Sequence, residues 1–332
     1  NEPIYTKRLE DEADKIVERY AVGRLIVAGD NRYLSGDLLD FLNCLPVTKT
    51  ETSKKANTFI NFRWALELNH QNFFAPGAAY QPGHVCTLLR NPHIARNEEM
   101  QLYPLEDSKN LRDQYLGHLT DVVMVGYTSL AAERLGGADY DGDMIKTISD
   151  PILNECVKRN IHHDPPRSRS VFSRSHNLPL LMIPTVQPQI RSADDWEARF
   201  ETVRSTFSSR VGQICNAALD RSIIAYNENS DATERERCRE ETETLAILTG
   251  LEIDSAKSGI RPDLDEYLTH KTVKRSAFLK YKTLVEEAET RRVWYEPTHA
   301  AKVKAFFKKA DWSKVDSNVE RLPYLAQQLK KN

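Results

Sequence analysis

The chain has 332 residues, of which 40% are hydrophobic, and a formal net charge of −2 at pH 7. This length predicts about two domains, and the apolar content is sufficient for a buried core. The near-neutral charge excludes a uniformly basic nucleic-acid coat and an acidic disordered tail protein, so a polyanionic partner would have to bind a local patch. With 13 glycines and 15 prolines, the composition also excludes a low-complexity chain.

The chain opens with an amphipathic pattern. Over residues 6–20 apolar residues recur at steps of three and four, which predicts an N-terminal helix within residues 1–22. This charged opening does not resemble a signal peptide, and no apolar stretch approaches the roughly 20 residues of a membrane-spanning helix. Five scattered cysteines without a CxxC pair favour a reducing compartment. We therefore expect an intracellular protein, cytoplasmic or nuclear, with no membrane contact.

Short apolar runs separated by turn residues follow, between about residues 23 and 150. They predict strands, with a helical insert at residues 36–45, and this texture is typical of a small, elaborated β-barrel. The predicted strands lie at residues 25–28, 85–89, 122–125 and 144–145.

The second half begins with a connecting segment, residues 151–192. Within it, residues 162–170 carry two adjacent prolines and alternating arginine and serine, which predicts an exposed connection. Helical periodicity then returns, and we predict a helical region over residues 193–267 that begins with one long helix near Ser192, its expected N-cap. The stripe that predicts this helix comprises Val203, Phe207, Val211, Cys215, Ala218 and Ser222.

The last stretch, residues 268–332, is basic. After Leu268 there are fifteen lysines and arginines against seven acids, so charge is segregated along the chain. Two interpretations remain open: the cations and aromatic rings track a phosphate backbone and stack on bases, or they form a solvated helical face above an aromatic core. The aromatic residues are Trp294, Tyr295, Phe306, Phe307 and Trp312.

Three carboxylates fall within five residues of a glycine-rich segment. Asp139, Asp141 and Asp143 alternate, and Gly142 permits a tight turn on which all three can converge. Such a compact set of oxygen ligands favours Mg²⁺, with Mn²⁺ as a substitute. An EF-hand is disfavoured, because Met144 stands where that calcium loop requires glycine. A different metal site and a solvated structural turn remain the alternatives.

Residues 138–143 resemble the Asp-x-Asp-Gly-Asp signature of the two-barrel RNA polymerases, in which a double-psi β-barrel holds the catalytic magnesium. This superfamily includes the large catalytic subunit of cellular RNA polymerases, the RNA-dependent RNA polymerases of RNA silencing and some single-chain phage polymerases. Residues 24–30 look like the opening strand of that barrel. Residues 88–96 are similar to its Arg-x-Pro segment, in which Arg90 would face the incoming nucleotide and Arg96 would match a further arginine.

Downstream, the likeness narrows to the silencing-type branch. Residues 211–220 and 253–259 are similar to two of its segments, and the second would bring Lys257 near substrate or nucleic acid. The alternative is a lysine that pairs with Asp254. The resemblance implies an α+β fold: a double-psi β-barrel over residues 23–150 that carries the acidic metal loop, followed by a mainly helical region.

The resemblance also implies template-directed RNA synthesis from ribonucleoside triphosphates by two-metal-ion catalysis. The implied partners are a nucleic-acid template and the RNA product. That family builds its site between two barrels, and this sequence contains the strands of only one, so we expect a fragment or subunit of a larger polymerase. Two rival functions remain: a metal-dependent nuclease or phosphodiesterase that uses the triad on water, and a non-catalytic nucleic-acid-binding module.

Overall fold

The computed structural model describes residues 2–44, 68–81, 83–106, 111–127, 129–162, 192–268, 273, 275–291, 297–313 and 319–330. The chain forms two compact units. One unit is Val27–Gln189, and the other combines Asn1–Ile26 with Ile190–Asn332. The divisions predicted at residues 22, 150, 192 and 267 stay predictions.

A closed barrel forms the unit Val27–Gln189. Its strands within the described residues are β1 (Gly29–Gly36), β2 (Asn72–Phe74), β3 (Cys86–Arg90), β4 (Met100–Pro104), β5 (Val122–Val125) and β6 (Met144–Ile148). They close in the order β1-β5-β2-β4-β3-β6. The pairs β1–β5 and β2–β4 are parallel, whereas the remaining pairs are antiparallel. This mixed barrel, with helices after it, confirms the predicted fold class.

Helices make up most of the rest of the described structure. In chain order they are α1 (Pro3–Ala21), α2 (Leu38–Cys44), α3 (Leu111–Leu116), α4 (Ala131–Arg134), α5 (Pro151–His162), α6 (Trp196–Thr206), α7 (Val211–Ala225), α8 (Ala232–Ser258), α9 (Asp265–Leu268), α10 (Ala277–Arg291), α11 (Pro297–Lys309) and α12 (Leu322–Leu329). A 3₁₀ turn spans Arg96–Glu98. Within the described residues, no helix combines the length and the apolar character needed to cross a membrane.

The barrel core consists of the inward-facing residues of its strands, which alternate along each strand with outward-facing ones. On β6, for example, Ile145 and Thr147 are fully buried while Met144 and Lys146 are exposed, the two-residue period of a strand with one dry face. Apolar side chains from every strand meet inside the ring, where their burial stabilises this unit. They include Leu34, Phe73, Leu88, Met100, Leu102, Val123, Val125 and Ile145.

The predicted position of the opening strand is wrong by a few residues. β1 begins at Gly29 rather than at residue 25, and Leu25 and Ile26 are 56% and 62% exposed. The register explains the shift, because β6 pairs with β1 only from Gly29 onwards. The other three predicted strands are confirmed as β3, β5 and β6, and the helical insert is confirmed as α2. Strands β2 and β4 were not predicted.

The predicted long helix after Ser192 is also wrong. The chain breaks between α6 and α7, and α6 is capped by Asp195, whose carboxylate accepts the Ala198 N–H at 3.1 Å. The buried stripe of α7 is not the predicted one and shares only Ala218 with it; its members are Ile214, Ala218, Arg221 and Ala225.

The longest helix of the described structure is α8, which packs against α7. Asp231 caps its start by accepting the N–H groups of Thr233 and Glu234 at 2.9 and 3.1 Å. Gly259 ends it with φ 72°, and its N–H donates to the Ser255 carbonyl at 2.8 Å.

Aromatic side chains of the basic C-terminal region form part of a core. Trp312 is only 6% exposed, and its ring centroid lies 5.5 Å from that of Phe307 and 5.8 Å from that of Tyr281. Phe306 packs against the same cluster, to which α1 contributes Ala21. For these rings the structure supports the aromatic-core interpretation. Trp294, Tyr295 and the connection at residues 162–170 lie outside the described residues.

Candidate active site

The acidic loop lies between α4 and β6. Its backbone turns through several left-handed positions, among them Gly136 at φ 64° and Gly142 at φ 118°. A side chain at Gly136 would be crowded, because a Cβ atom there would lie 3.2 Å from a carboxylate oxygen of Glu98, which would have to shift slightly. Tyr140 adopts φ 63°, a conformation that is uncommon without glycine. The chain thus reverses tightly just before it enters the last strand of the barrel.

This reversal brings the three predicted carboxylates together. One oxygen from each of Asp139, Asp141 and Asp143 lies within 4.8 Å of the others. Asp139 and Asp141 are exposed, while Asp143 is 8% exposed at the start of β6. The Asp139 N–H donates to Asp143 Oδ2 at 2.9 Å, so the loop fixes its inner carboxylate through its own backbone.

The donor set fits a hard divalent cation. Three carboxylates in close proximity repel one another in the absence of positive charge, and Mg²⁺ or Mn²⁺ would relieve that repulsion while accepting only oxygen ligands. Two of the three side chains reach solvent, so water and phosphate oxygens would complete the coordination. Asp139, Asp141 and Asp143 are the residues that could hold the metal.

Arg90 ties the loop to the barrel wall. It is the last residue of β3, where it pairs with Ile145 of β6. Its Nε donates to Asp143 Oδ1 at 2.6 Å and its Nη1 donates to the Gly136 carbonyl at 3.0 Å. The predicted nucleotide-facing arginine therefore also neutralises the buried carboxylate of the triad.

A cavity of about 300 Å³ opens beside the triad. It is lined by Asn31, Arg90, Asn91, Asp141, Gly142, Asp143, Met144 and Lys146. Three adjacent strands, β1, β3 and β6, supply this lining or lead directly into it. The sequence motifs did not predict Asn31, Asn91 or Lys146 as part of the site: Asn91 occupies the variable position of the Arg-x-Pro segment, and only strand register brings Asn31 beside Lys146.

Arg96 does not line this cavity. It lies in the 3₁₀ turn and is 9% exposed. The same turn carries Glu98, whose Oε2 accepts the N–H groups of Ile94 and Ala95 at 2.7 and 3.0 Å. These bonds fix the segment that follows the Arg-x-Pro motif, so Glu98 is a structural residue that sequence reasoning missed.

Two titratable groups that flank this turn in the sequence have strongly shifted pKa values. Burial raises the pKa of Glu99 to about 7, although Arg134 and Arg96 partly offset the effect. Burial also lowers the pKa of His93 to about 4. His93 Nε2 lies 3.6 Å from Glu99 Oε1, and because the imidazole is neutral at pH 7, this contact is not an ion pair.

Lys257 lies in the helical unit, in the last turn of α8. Its side chain is 63% exposed, and its Nζ lies 3.9 Å from Asp254 Oδ1. The pairing with Asp254 that the sequence left as an alternative is therefore present. The predicted contact of Lys257 with substrate or nucleic acid stays a prediction.

The two-barrel polymerase signature predicts a β-barrel that carries an acidic loop and is followed by helices. The structure has this architecture, with six strands in a closed barrel. The chain belongs to the RNA dependent RNA polymerase family, whose model matches residues 55–303. Among solved structures, the RNA dependent RNA polymerase QDE-1 from Thielavia terrestris is similar, with a TM-score of 0.44 and 15% identity. That match covers 81% of this chain but 28% of the other, so this chain spans less than a third of its length. No curated protein matches the chain.

Proposed function

We propose that this chain carries the catalytic metal centre of an RNA-directed RNA polymerase that joins ribonucleoside triphosphates on a template. The observation that carries the proposal is the convergence of Asp139, Asp141 and Asp143 beside a cavity, in a chain of this family. Mg²⁺, or Mn²⁺ in its place, is the proposed cofactor. The template, the RNA product and the nucleotides are the proposed partners.

The triad would hold two Mg²⁺ ions, one of them arriving with the nucleotide; these would activate the primer 3′-hydroxyl and neutralise the pyrophosphate leaving group. Within the chain, the Asp139 N–H and Arg90 Nε hold both oxygens of Asp143 in place before any ligand binds. The triad residues then act as carboxylate ligands and need no proton transfer of their own. This assignment accounts for a centre whose described cavity residues include no histidine.

Arg90 is the proposed nucleotide contact, because its guanidinium lines the cavity. Planar guanidinium groups suit bidentate bonds to phosphate and ribose oxygens. Arg96 and Lys257 remain proposed substrate-binding residues on the family resemblance alone. Replacement of Arg90 by alanine should chiefly raise the KM for nucleotides if it binds ground and transition states alike.

The second barrel of the family is a proposed partner, supplied by a larger form of the protein or by another subunit. The described residues build one barrel. A location inside the cell, cytoplasmic or nuclear, stays a proposal, with which the free thiols of Cys86, Cys156, Cys215 and Cys238 are compatible.

The test is incorporation of labelled ribonucleotides with Mg²⁺ or Mn²⁺ on single-stranded RNA and DNA templates. Asp141→Ala should abolish incorporation, whereas Glu155→Ala, an exposed carboxylate on α5, should leave it unchanged. The comparison should include this chain and any longer form that contains a second barrel. An active Asp141→Ala variant would defeat the metal assignment.

The rival functions predict other outcomes. A metal-dependent nuclease would hydrolyse the template in the same assay, and Asp141→Ala would stop that hydrolysis. A binding module would retain nucleic acid without incorporation or hydrolysis in either form of the protein. Preference between the two templates decides whether synthesis is RNA-directed.

A further inference from the structure

One wall of the cavity is cationic and amide-lined rather than acidic. Lys146 points outwards from β6, since its neighbours Ile145 and Thr147 point into the core. The register of the barrel places Lys146 opposite Asn31 of β1 on one side and Leu89 of β3 on the other. Directly opposed residues of antiparallel strands project from the same face, so Lys146 and Asn31 share the outer wall of the barrel.

Asn91 completes this wall. It follows β3 directly, and its Oδ1 accepts a hydrogen bond from Lys146 Nζ at 3.4 Å. With its oxygen so engaged, the Asn91 amide group keeps two N–H donors for another ligand. Asn31, Asn91 and Lys146 all line the cavity that Asp141 and Asp143 enter from the loop.

Lys146 makes no ion pair with the triad. Among the described residues, no carboxylate lies within ion-pair distance of Lys146 Nζ, and its hydrogen-bond partner is the neutral Asn91. A lysine that merely balanced the acidic loop would contact one of its carboxylates. A lysine with two amide groups beside it instead provides the point charge and the donors that bind phosphate oxygens.

We propose that Lys146, Asn31 and Asn91 form a phosphate-binding site beside the acidic triad. At about 300 Å³ the cavity is at the small end of the range for ligand sites, which suits a phosphate group better than a whole nucleotide. The role of this site in RNA synthesis rests on the proposed function. The phosphate belongs to the incoming nucleoside triphosphate or to the nucleic-acid strand that the triad extends.

The experiment measures binding rather than turnover. Isothermal titration of the full chain with inorganic pyrophosphate, and separately with a short single-stranded RNA, is done in the presence of Mg²⁺. Lys146→Met removes the charge and keeps the length of the side chain. Lys158→Met is the matched control, because Lys158 is an exposed lysine of α5 outside the cavity lining. Lys146→Arg tests rescue by a second cation.

We expect Lys146→Met to weaken binding of at least one ligand about tenfold or more, since a charge-assisted contact is lost. Lys158→Met should bind as the wild type does, and Lys146→Arg should recover part of the loss. A loss confined to pyrophosphate assigns the site to the nucleotide, and a loss confined to RNA assigns it to the strand. Equal binding by Lys146→Met and Lys158→Met, or no binding by the wild type, overturns the proposal.

Failure of the two proposals is distinguishable. Pyrophosphate or RNA binding that depends on Lys146, in a protein whose longer form incorporates no nucleotide, would retain the phosphate site and reject the polymerase assignment. Incorporation that depends on Asp141 but is indifferent to Lys146→Met, with unchanged ligand binding, would retain the polymerase and reject the phosphate site.

Discussion

Two of the carboxylate–arginine pairs in the barrel unit differ in what surrounds them. Directly after β1, Asp37 accepts hydrogen bonds from both terminal nitrogens of Arg112, each at 2.6 Å. Both side chains are 1% exposed. Asp37 also accepts backbone N–H groups at the start of α2, including that of Leu39 at 3.1 Å. At the acidic loop, Asp143 accepts one nitrogen of Arg90, whose side chain is 19% exposed beside the cavity.

The difference separates a structural pair from a functional one. Both carboxylate oxygens of Asp37 and both terminal nitrogens of Arg112 are engaged with each other inside the protein. The pair therefore links the end of β1 to α3 and does not face a ligand. The Asp143–Arg90 pair has two further carboxylates beside it and opens on a cavity. A buried ion pair therefore does not by itself indicate a functional site. Several carboxylates that converge beside a cavity do.

The largest loss of stability is expected at the buried Asp37–Arg112 pair. Arg112→Met should destabilise the barrel by about 3–5 kcal/mol, because it leaves the Asp37 carboxylate buried without its counter-charge. Hydrogen exchange of peptides from β1 and β5, read by mass spectrometry, measures this loss within the unit. Arg159→Met, an exposed arginine of α5, is the control. Unchanged exchange in Arg112→Met would mean that the pair does not hold these elements together.

Glu99 is a third buried carboxylate with an arginine nearby, but here the arginine binds the backbone. Arg134 Nη2 donates to the Glu99 carbonyl at 2.8 Å. The Glu99 pKa of about 7 lies above the unfolded value, so the folded state retains a proton that the unfolded chain has lost. The stability that this proton represents is complete below about pH 4.5 and is lost as the pH rises through 7.

Glu99→Gln should therefore stabilise the barrel by about 2–3 kcal/mol at pH 8, and the advantage should disappear towards pH 4.5. The comparison of wild type and variant by exchange at the two pH values tests this. The groups that face Glu99 are His93, Arg96, Arg134 and Glu98, and the substitution alters none of them. An advantage independent of pH would show that Glu99 is not protonated in the folded chain.

Arg90→Ala should destabilise the barrel less than Arg112→Met, by about 1–2 kcal/mol, because Asp143 keeps the Asp139 N–H and gains access to water. The same variant should bind Mn²⁺ more tightly, since a positive charge next to a ligand oxygen is removed. Calorimetric titration with Mn²⁺ measures this change. Arg90→Lys keeps the charge and should bind Mn²⁺ about as tightly as the wild type. If Arg90→Ala also binds Mn²⁺ with wild-type affinity, the charge of Arg90 does not act on the triad.

The smallest effect is expected at two adjacent glycines of the loop. Gly136→Ala and Gly137→Ala both place alanine at positive φ, which costs about 1 kcal/mol. At Gly136 the new Cβ would also press on Glu98 Oε1, whereas at Gly137 it would meet open space. The thermal midpoint should therefore fall further for Gly136→Ala. Equal midpoints would show that Glu98 moves aside freely.

Much of the site was predictable, because its ligands are local in sequence. Alternating acids around Gly142 place the triad on one turn without any knowledge of the remaining chain. The register partners Asn31 and Lys146 were not predictable, since only pairing between β1 and β6 brings them together. Strand β2 escaped prediction because it has only three residues, and β4 because it is not a continuous apolar run, since Gln101 separates Met100 from Leu102.

The break between α6 and α7 marks another limit of periodicity. Val203 and Phe207 continue the stripe of α7 in the sequence, but both are exposed in the structure, at 56% and 85%. The buried stripe follows Ile214 and Arg221 instead, and Arg221 is accommodated by an ion pair with Glu241 of α8. A tertiary partner on another helix, absent from any local pattern, decides which face is covered.

The closing seam of the barrel has a consequence for the rate of folding. β1 joins β6 with Arg32 opposite Ile145, so closure of the ring pairs the first and the last of the described strands in chain order. Such non-local pairing is slow to form. Because the acidic loop leads directly into β6, a lanthanide bound to the triad during refolding would report when this loop and the start of β6 have taken their native geometry.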